Sequence, residues 1–323
     1  MKVLVTGAAG FIGSKLAFEL ARRGEEVVGI DNFSACCDVR LPEARLKAFG
    51  GFRFLRLDIA DRPALDALFA AERFDKVVNL AARTGVRQSM DEPYAFLESN
   101  LVGFLNVLEA CRTHGVKHLV FASSSSVYGM NDKVPYAEED RTDRPVSLYA
   151  ATKQCDERMA YSYCKLYGMA VTGLRYFTVY GPWGRPDMAP MLFADAIRRG
   201  EPVRVFNGGD LYRDFTYIDD IVAGTIGCIG RMPAPDADGL PYRIYNIGCG
   251  QPVRLTDFIA ALEQAMGREA RKVFLPMQPG DVYRTWADTS RLEAETGCSP
   301  RIRLHEGIAL FAAWYNSDEN PLK

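Results

Sequence analysis

Histidine is scarce in this chain, with three (His114, His118, His305) among 323 residues, and they are not spaced as metal ligands. The eight cysteines (36, 37, 111, 155, 164, 228, 249 and 298) form no C-x-x-C and match no zinc pattern. Cys36 and Cys37 are adjacent, which suits neither an ordinary disulfide nor two ligands on one metal. Reduced, mostly buried thiols are expected. A transition-metal enzyme is thereby disfavoured, and any redox chemistry should come from an organic cofactor. No uninterrupted apolar run is long enough to span a membrane. The opening Met1–Gly7 lacks the apolar core of a signal peptide, so a cytoplasmic protein is expected. Charge of one sign is also missing: 39 basic and 41 acidic side chains leave a net −2. That balance carries no nucleic-acid footprint.

What is present is an alternation. Val3–Thr6, Glu26–Asp31, Phe52–Ile59, Lys76–Ala82, His118–Ser123 and Ala170–Phe177 read as buried strands. Amphipathic stretches Ile12–Arg23, Arg62–Glu72, Tyr94–His114 and Leu148–Tyr167 lie between them. Strand–helix alternation with right-handed crossovers predicts an α/β protein with a Rossmann-type doubly wound parallel sheet. After about Tyr180 the pattern loosens. Leu192–Arg199, Phe215–Arg231, Leu255–Gly267 and Leu304–Asn316 read as helices, and Val203–Phe206 and Tyr242–Gly248 as strands. The expectation is a sheet domain over residues 1–180 and a smaller α/β substrate-binding domain over 181–323. Elements near 215–248 should pack back onto the first domain.

Gly7-Ala8-Ala9-Gly10-Phe11-Ile12-Gly13 joins the first strand to the first helix. Glycines there let a pyrophosphate approach backbone N–H groups at a helix start. Asp31, followed by Asn32, ends the second strand 18 residues after Gly13. A carboxylate at that place accepts the adenosine ribose hydroxyls and repels a 2′-phosphate, favouring NAD over NADP. Arg40 would weaken that preference if its loop folded back. The plain alternative is a glycine turn that only caps a helix. Asp58, with Ile59, ends the third strand and suits either the adenine amino group or a helix N-cap. Small residues Leu80-Ala81-Ala82 end the fourth, where a cofactor can pass close to the backbone.

Tyr149 and Lys153 form Y-x-x-x-K, which puts both side chains on one helix face. A phenol ordinarily titrates near ~10, and a neighbouring ammonium favours the phenolate. Lys153 can also bond the nicotinamide ribose. About two dozen residues earlier, Ser123-Ser124-Ser125-Ser126 ends the fifth strand at the sheet edge where substrates bind. Turn-forming serines and a solvated helix face are the competing structural readings.

With these motifs together the sequence resembles the extended short-chain dehydrogenase/reductase family of nucleotide-sugar epimerases and dehydratases. The shared segments are TGAAGFIG (Thr6–Gly13), SSSSVYG (Ser123–Gly129), SLYAATK (Ser147–Lys153), FTVYGPWGRPDM (Phe177–Met188), RDFTYIDD (Arg213–Asp220), YNIG (Tyr245–Gly248) and MQPGDV (Met277–Val282). FTVYGPWGRPDM and MQPGDV resemble the subgroup acting on UDP-glucuronate. The resemblance implies Tyr149 as catalytic base, Lys153 as its partner and Ser124 as the hydroxyl bonding the sugar 4-OH. It implies cofactor contacts from Thr84, Asn100 and Tyr176, beside Leu80, Ala81 and Ala82. Arg213 and Asp281 fall where diphosphate and uridine ribose are bound, with Gln278 nearby, and Val205 and Asn207 on the strand bordering uracil. The family's 4,6-dehydratases carry Asp-Glu after the catalytic hydroxyl residue. Ser125-Ser126 stands here, so dehydration is disfavoured. Thr178, Arg185 and Ser125/Ser126, with Arg87 as a weaker candidate, are expected to hold a C6 carboxylate, and Val86 is expected among the substrate contacts. For Arg185 a loop-stabilising role or a diphosphate contact stays open.

The expected activity is NAD-dependent 4-epimerisation of UDP-glucuronate to UDP-galacturonate, in a homodimer joined through the Tyr94–His114 and Leu148–Tyr167 helices. The alternatives are a UDP-glucuronate decarboxylase, a 4-epimerase of UDP-glucose or UDP-N-acetylglucosamine, and a non-catalytic NAD-binding regulator.

Overall fold

The structure, a computed structural model, describes residues 1–34, 38, 40–278 and 280–323. The Cys36-Cys37 pair lies outside the described residues. Of the other six cysteines, all free thiols, Cys111, Cys164 and Cys228 are buried, Cys249 and Cys298 are half-buried, and Cys155 is exposed.

Twelve strands are formed among the described residues: β1 (Lys2–Thr6), β2 (Glu26–Asp31), β3 (Arg53–Arg56), β4 (Lys76–Asn79), β5 (His118–Ser124), β6 (Val171–Tyr176), β7 (Thr178–Tyr180), β8 (Pro202–Phe206), β9 (Tyr212–Tyr217), β10 (Tyr242–Ile247), β11 (Pro252–Arg254) and β12 (Arg271–Leu275). Seven make one parallel sheet in the order β10-β6-β5-β4-β1-β2-β3. The expected doubly wound α/β fold is therefore the observed one. The chain winds outward from β1 to β3, then returns to β4 on the other side of β1. That reversal opens a crevice beyond the carboxyl ends of β1 and β4, where such folds bind ligands.

Period-two alternation sorts the sheet's side chains into two cores. Val3, Val5, Val78, Val120 and Leu174 face one side; Leu4, Val77, Leu119, Phe121 and Val171 face the other. The second core is covered by helices Arg62–Glu72, Gly103–Thr113 and Leu148–Tyr167. The first runs without a break into Phe215, Phe258, Ile308, Phe311 and Trp314 of the later chain. Each fully buried apolar side chain contributes roughly 1.5–3 kcal/mol. The shared core thus fastens the later elements to the sheet. Helix Ile218–Gly230 packs on helix Phe11–Arg22, and β10 joins the sheet edge beside β6.

Several expected boundaries move. β3 stops at Arg56 and β4 at Asn79, so Leu57–Ile59 and Leu80–Ala82 are free to line the crevice. The expected Tyr94–His114 helix is interrupted by a π-helical turn over Leu97–Val102. The expected Phe215–Arg231 helix begins only at Ile218, because Phe215–Tyr217 belong to β9. β9 sits between β7 and β11 in a small sheet, and β8 pairs with β12 in another.

Candidate active site

The crevice is a cavity of about 400 Å³. One wall is the glycine turn after β1. Gly7 has φ +70°, and a Cβ there would meet Ala81 N at 2.8 Å. A Cβ on Gly13 would stand 2.0 Å from Gly7 O. Gly10 N donates to Gly7 O at 2.9 Å, and Ser14 N to Gly10 O at 3.1 Å. Only glycine fits these approaches, and the helix start stays bare toward the cavity, as a pyrophosphate requires. Thr6 ties the two central strands: its hydroxyl donates to Asn79 Oδ1 at 2.6 Å and accepts from Ala81 N at 3.0 Å.

Asp31 stands at the cavity's far end. Its Oδ2 accepts from Ala9 N (3.1 Å) and Oδ1 from Phe33 N (2.9 Å). Burial pushes its carboxyl above the ordinary range against these two bonds. Asn32 Nδ2 donates to Asp58 Oδ2 at 2.7 Å. The two readings of Asp58 separate here. The N-cap of helix Arg62–Glu72 is Asp61, which accepts from Ala64 N at 3.1 Å, while Asp58 and Ile59 line the cavity. Exposed Arg40 instead pairs with half-buried Asp38.

Tyr149 and Lys153 face the cavity from helix Leu148–Tyr167, which Ser147 caps by accepting from Ala150 N at 3.1 Å. Lys153 is 2% exposed; its Nζ donates to Ala122 O and to Asp156 Oδ2, both at 3.0 Å. Asp156 is equally buried, and its Oδ1 has no hydrogen-bond partner. Burial raises its carboxyl to about 6, against the pull of Lys153. Opposite, Ser124 Oγ accepts from Ser126 N at 3.2 Å and donates to Ser126 Oγ at 3.1 Å, opening a 3-10 turn over Ser125–Tyr128.

Asn100 lies in the π-helical turn, buried behind the wall. Its Oδ1 accepts from Arg83 N (2.8 Å); its Nδ2 donates to Arg83 O and to Thr152 Oγ1, both at 3.0 Å. The widened turn aims Asn100 so that it holds the 83–84 loop against the Tyr149 helix. Leu80, Ala81, Ala82, Thr84, Val86, Ser124, Ser125, Ser126, Tyr176, Thr178 and Arg185 all border the cavity.

A second hollow of about 160 Å³ shares Val86, Ser125, Ser126 and Thr178 with the first. Its remaining wall includes Arg213 and Asp281, which form an ion pair. Four expected substrate residues border neither cavity. Val205 is fully buried in the core, so its side chain cannot border a base. Asn207 donates through Nδ2 to Asp210 O at 2.8 Å, closing its own turn. Arg87 stacks over the Phe206 ring at 5.6 Å, beside that turn. Gln278 Oε1 is buried and unpartnered.

Sequence reasoning missed two arginines. Arg45, in helix Arg40–Ala48, donates to Trp183 O (3.0 and 2.7 Å), Gly184 O (3.3 Å) and Ala9 O (3.3 Å). It ties the Gly/Pro loop to the glycine turn, and its only signal is the i,i+4 partner Leu41. Arg175 of β6 bonds Glu157 through Nε (2.9 Å) and Nη2 (2.8 Å).

A parallel sheet with a glycine cradle, a strand-end carboxylate and a Tyr–Lys pair on the cavity wall defines a dinucleotide-dependent oxidoreductase-type site. The chain belongs to the NAD dependent epimerase/dehydratase family, whose model matches residues 3–248. It is 45% identical over 333 residues to the probable UDP-glucuronate 4-epimerase of Rhizobium meliloti (strain 1021), covering 98% of each chain. Among solved structures it is similar to UDP-glucuronic acid 4-epimerase from Bacillus cereus in complex with UDP-glucuronic acid and NAD (TM-score 0.89, 34% identity, 97% of this chain and 98% of that one). It is also similar to UDP-glucose 4-epimerase from Thermotoga maritima with UDP-glucose (TM-score 0.88, 30% identity, 98% of each chain).

Proposed function

We propose that this chain interconverts UDP-glucuronate and UDP-galacturonate by NAD-dependent 4-epimerisation. The observation that carries the reading is one continuous hollow. It brings the glycine cradle, Tyr149 and Lys153, and the polar set Ser124–Ser126, Thr178 and Arg185 together. The cradle that a Cβ would fill, and the two Asp31 oxygens at the end of β2, fit a dinucleotide. In the proposed complex Gly7, Gly10, Phe11, Ile12 and Gly13 receive the pyrophosphate. Asp31 takes the adenosine ribose, Asn32, Asp58 and Ile59 flank the adenine, and Lys153 takes the nicotinamide ribose.

When bound, NAD supplies reversible hydride transfer at the sugar C4. Tyr149 removes the 4-hydroxyl proton as the carbonyl forms and returns it after the ring has presented its other face. Lys153, held by Ala122 O and Asp156, keeps positive charge beside the developing phenolate. Ser124 bonds the C4 oxygen. A 4-keto uronate is a β-keto acid, prone to losing CO₂ when the breaking bond aligns with the carbonyl. Bonds from Ser125, Ser126, Thr178 and Arg185 hold the carboxylate out of that alignment. Arg213 and Asp281 serve the diphosphate and uridine ribose in the adjoining hollow. Exposed apolar side chains on the two helical stretches, among them Tyr94, Val102, Leu105, Leu166 and Tyr167, support a homodimer.

Incubation with UDP-glucuronate, with products read by NMR and CO₂ trapped, tests the reading. UDP-galacturonate without CO₂ is expected. Sustained CO₂ release makes the chain a decarboxylase, and turnover of UDP-glucose alone makes it a neutral-sugar epimerase.

A further inference from the structure

The guanidinium of Arg185 already grips a carboxylate of its own chain. Nε donates to Asp187 Oδ1 at 3.0 Å and Nη2 to Asp187 Oδ2 at 2.5 Å. This two-toothed contact is the one a planar guanidinium forms with any carboxylate. Nη2 also donates to Thr84 O at 3.2 Å, so the head of Arg185 bridges the 181–188 loop and the 83–87 loop at the cavity wall. The pair is not sealed: the side chains are 19% and 34% exposed. A pair in that setting is held weakly enough to exchange.

We propose that Asp187 is a specificity-determining residue, an internal carboxylate that holds Arg185 ready and gives up its place on the guanidinium to the carboxylate of an incoming sugar. The inference rests on the uronate reading above. Exchange of one carboxylate for another conserves the two charge-assisted bonds, and the displaced Asp187 moves toward water. A primary alcohol at C6 offers no such replacement, so a neutral sugar leaves the Arg185–Asp187 pair closed. Asp187 thereby competes with uronates alone and sets how strongly a sugar acid must bind to open the pair.

The test replaces the charge and keeps the shape. Asp187→Asn retains an oxygen that accepts from Nε and removes the competing anion. KM and kcat for UDP-glucuronate are measured beside the Kd of UDP-glucose, with circular dichroism and a thermal melt confirming the fold. The expected result is a two- to fivefold lower KM for UDP-glucuronate, about what loss of an exposed pair releases, with the Kd of UDP-glucose unchanged. In an Arg185→Lys background the same substitution should change KM by less than in the wild type. A raised KM for UDP-glucuronate, an equal shift for both sugars, or an undiminished effect in the Arg185→Lys background overturns the inference and leaves Asp187 as a loop staple. A wild-type enzyme inert toward UDP-glucuronate overturns the substrate reading itself, and this inference with it.

Discussion

Truncating Glu157 should weaken the whole site without altering a residue of its wall. Both carboxylate oxygens are used: Oε1 accepts from Arg175 Nε (2.9 Å) and Ser123 Oγ (2.6 Å), and Oε2 from Arg175 Nη2 (2.8 Å). Side-chain exposure is 5% for Arg175 and 9% for Glu157. Burial works against the charge of Arg175, but the Glu157 bonds and field outweigh it and raise its pKa. The other end of Arg175 donates through Nη1 to Tyr128 Oη and Glu138 O, both at 3.0 Å, and Tyr128 Oη donates to Asn246 Oδ1 at 2.6 Å. One ion pair therefore joins β5, β6, β10, the Tyr149 helix and the serine turn. Glu157→Ala leaves a buried guanidinium without its counter-charge, a loss of about 3–5 kcal/mol. At a urea slope of about 3 kcal/mol/M, the midpoint should fall by roughly 1–2 M. Glu157→Gln keeps the shape and should fall between. The double variant Glu157→Leu/Arg175→Met removes both charges and should recover most of the loss. Equilibrium urea unfolding, followed by fluorescence and circular dichroism, reads all four proteins. A loss below about 1 kcal/mol in Glu157→Ala, or a double variant no better than the single, refutes the reasoning.

Gly13→Ala places a methyl group against Gly7 O, which is main chain and cannot swing aside. NAD affinity should fall by about five- to 150-fold, the equivalent of an overpacking cost of roughly 1–3 kcal/mol; cofactor titration by fluorescence checks it, and unchanged affinity contradicts the cradle. Asp156 gives a pH signature. Its folded carboxyl titrates at about 6 against 3.8 unperturbed, so its contribution to stability is full below about pH 4 and is lost as pH rises through 6. Thermal melts of Asp156→Asn against the wild type should therefore favour the variant more at pH 7.5 than at pH 5; the opposite trend would show that the carboxylate is stabilised by Lys153 on balance.

The sheet and the cofactor cradle were legible because their determinants are local. A strand reads as an apolar run, a helix as a periodic face, and the glycine turn as three residues whose neighbours forbid a side chain. Tyr149 and Lys153 were legible for the same reason, being one helical turn apart. The later chain is less legible. β7 and β11 are three residues each, and β12 (Arg271–Leu275) is mostly exposed, so none carries a buried run. Helix Arg40–Ala48 buries only Leu41 and Arg45 and shows no apolar stripe. The π-helical turn that aims Asn100 leaves no mark in an otherwise helical pattern.

Electrostatics explains why the site's charges escaped the composition. The net charge is −2, yet the ligands of the proposed reaction are anions. Lys153 is paired with Asp156, Arg175 with Glu157, Arg185 with Asp187, and Arg213 with Asp281. Each cation is held by a carboxylate of the same chain, so it adds nothing to the net count and does not build a basic well open to any anion. The four pairs then divide by burial. The two sealed ones, at Lys153 and Arg175, cannot exchange partners cheaply, because each ion would be left uncompensated in the interior; they fix geometry. The two partly exposed ones, at Arg185 and Arg213, can trade a protein carboxylate for a ligand anion at little cost. For the proposed substrate, a site built this way takes up both anionic groups, the diphosphate and the carboxylate, by exchange at defined positions, and its selectivity lies in which pairs a ligand can open.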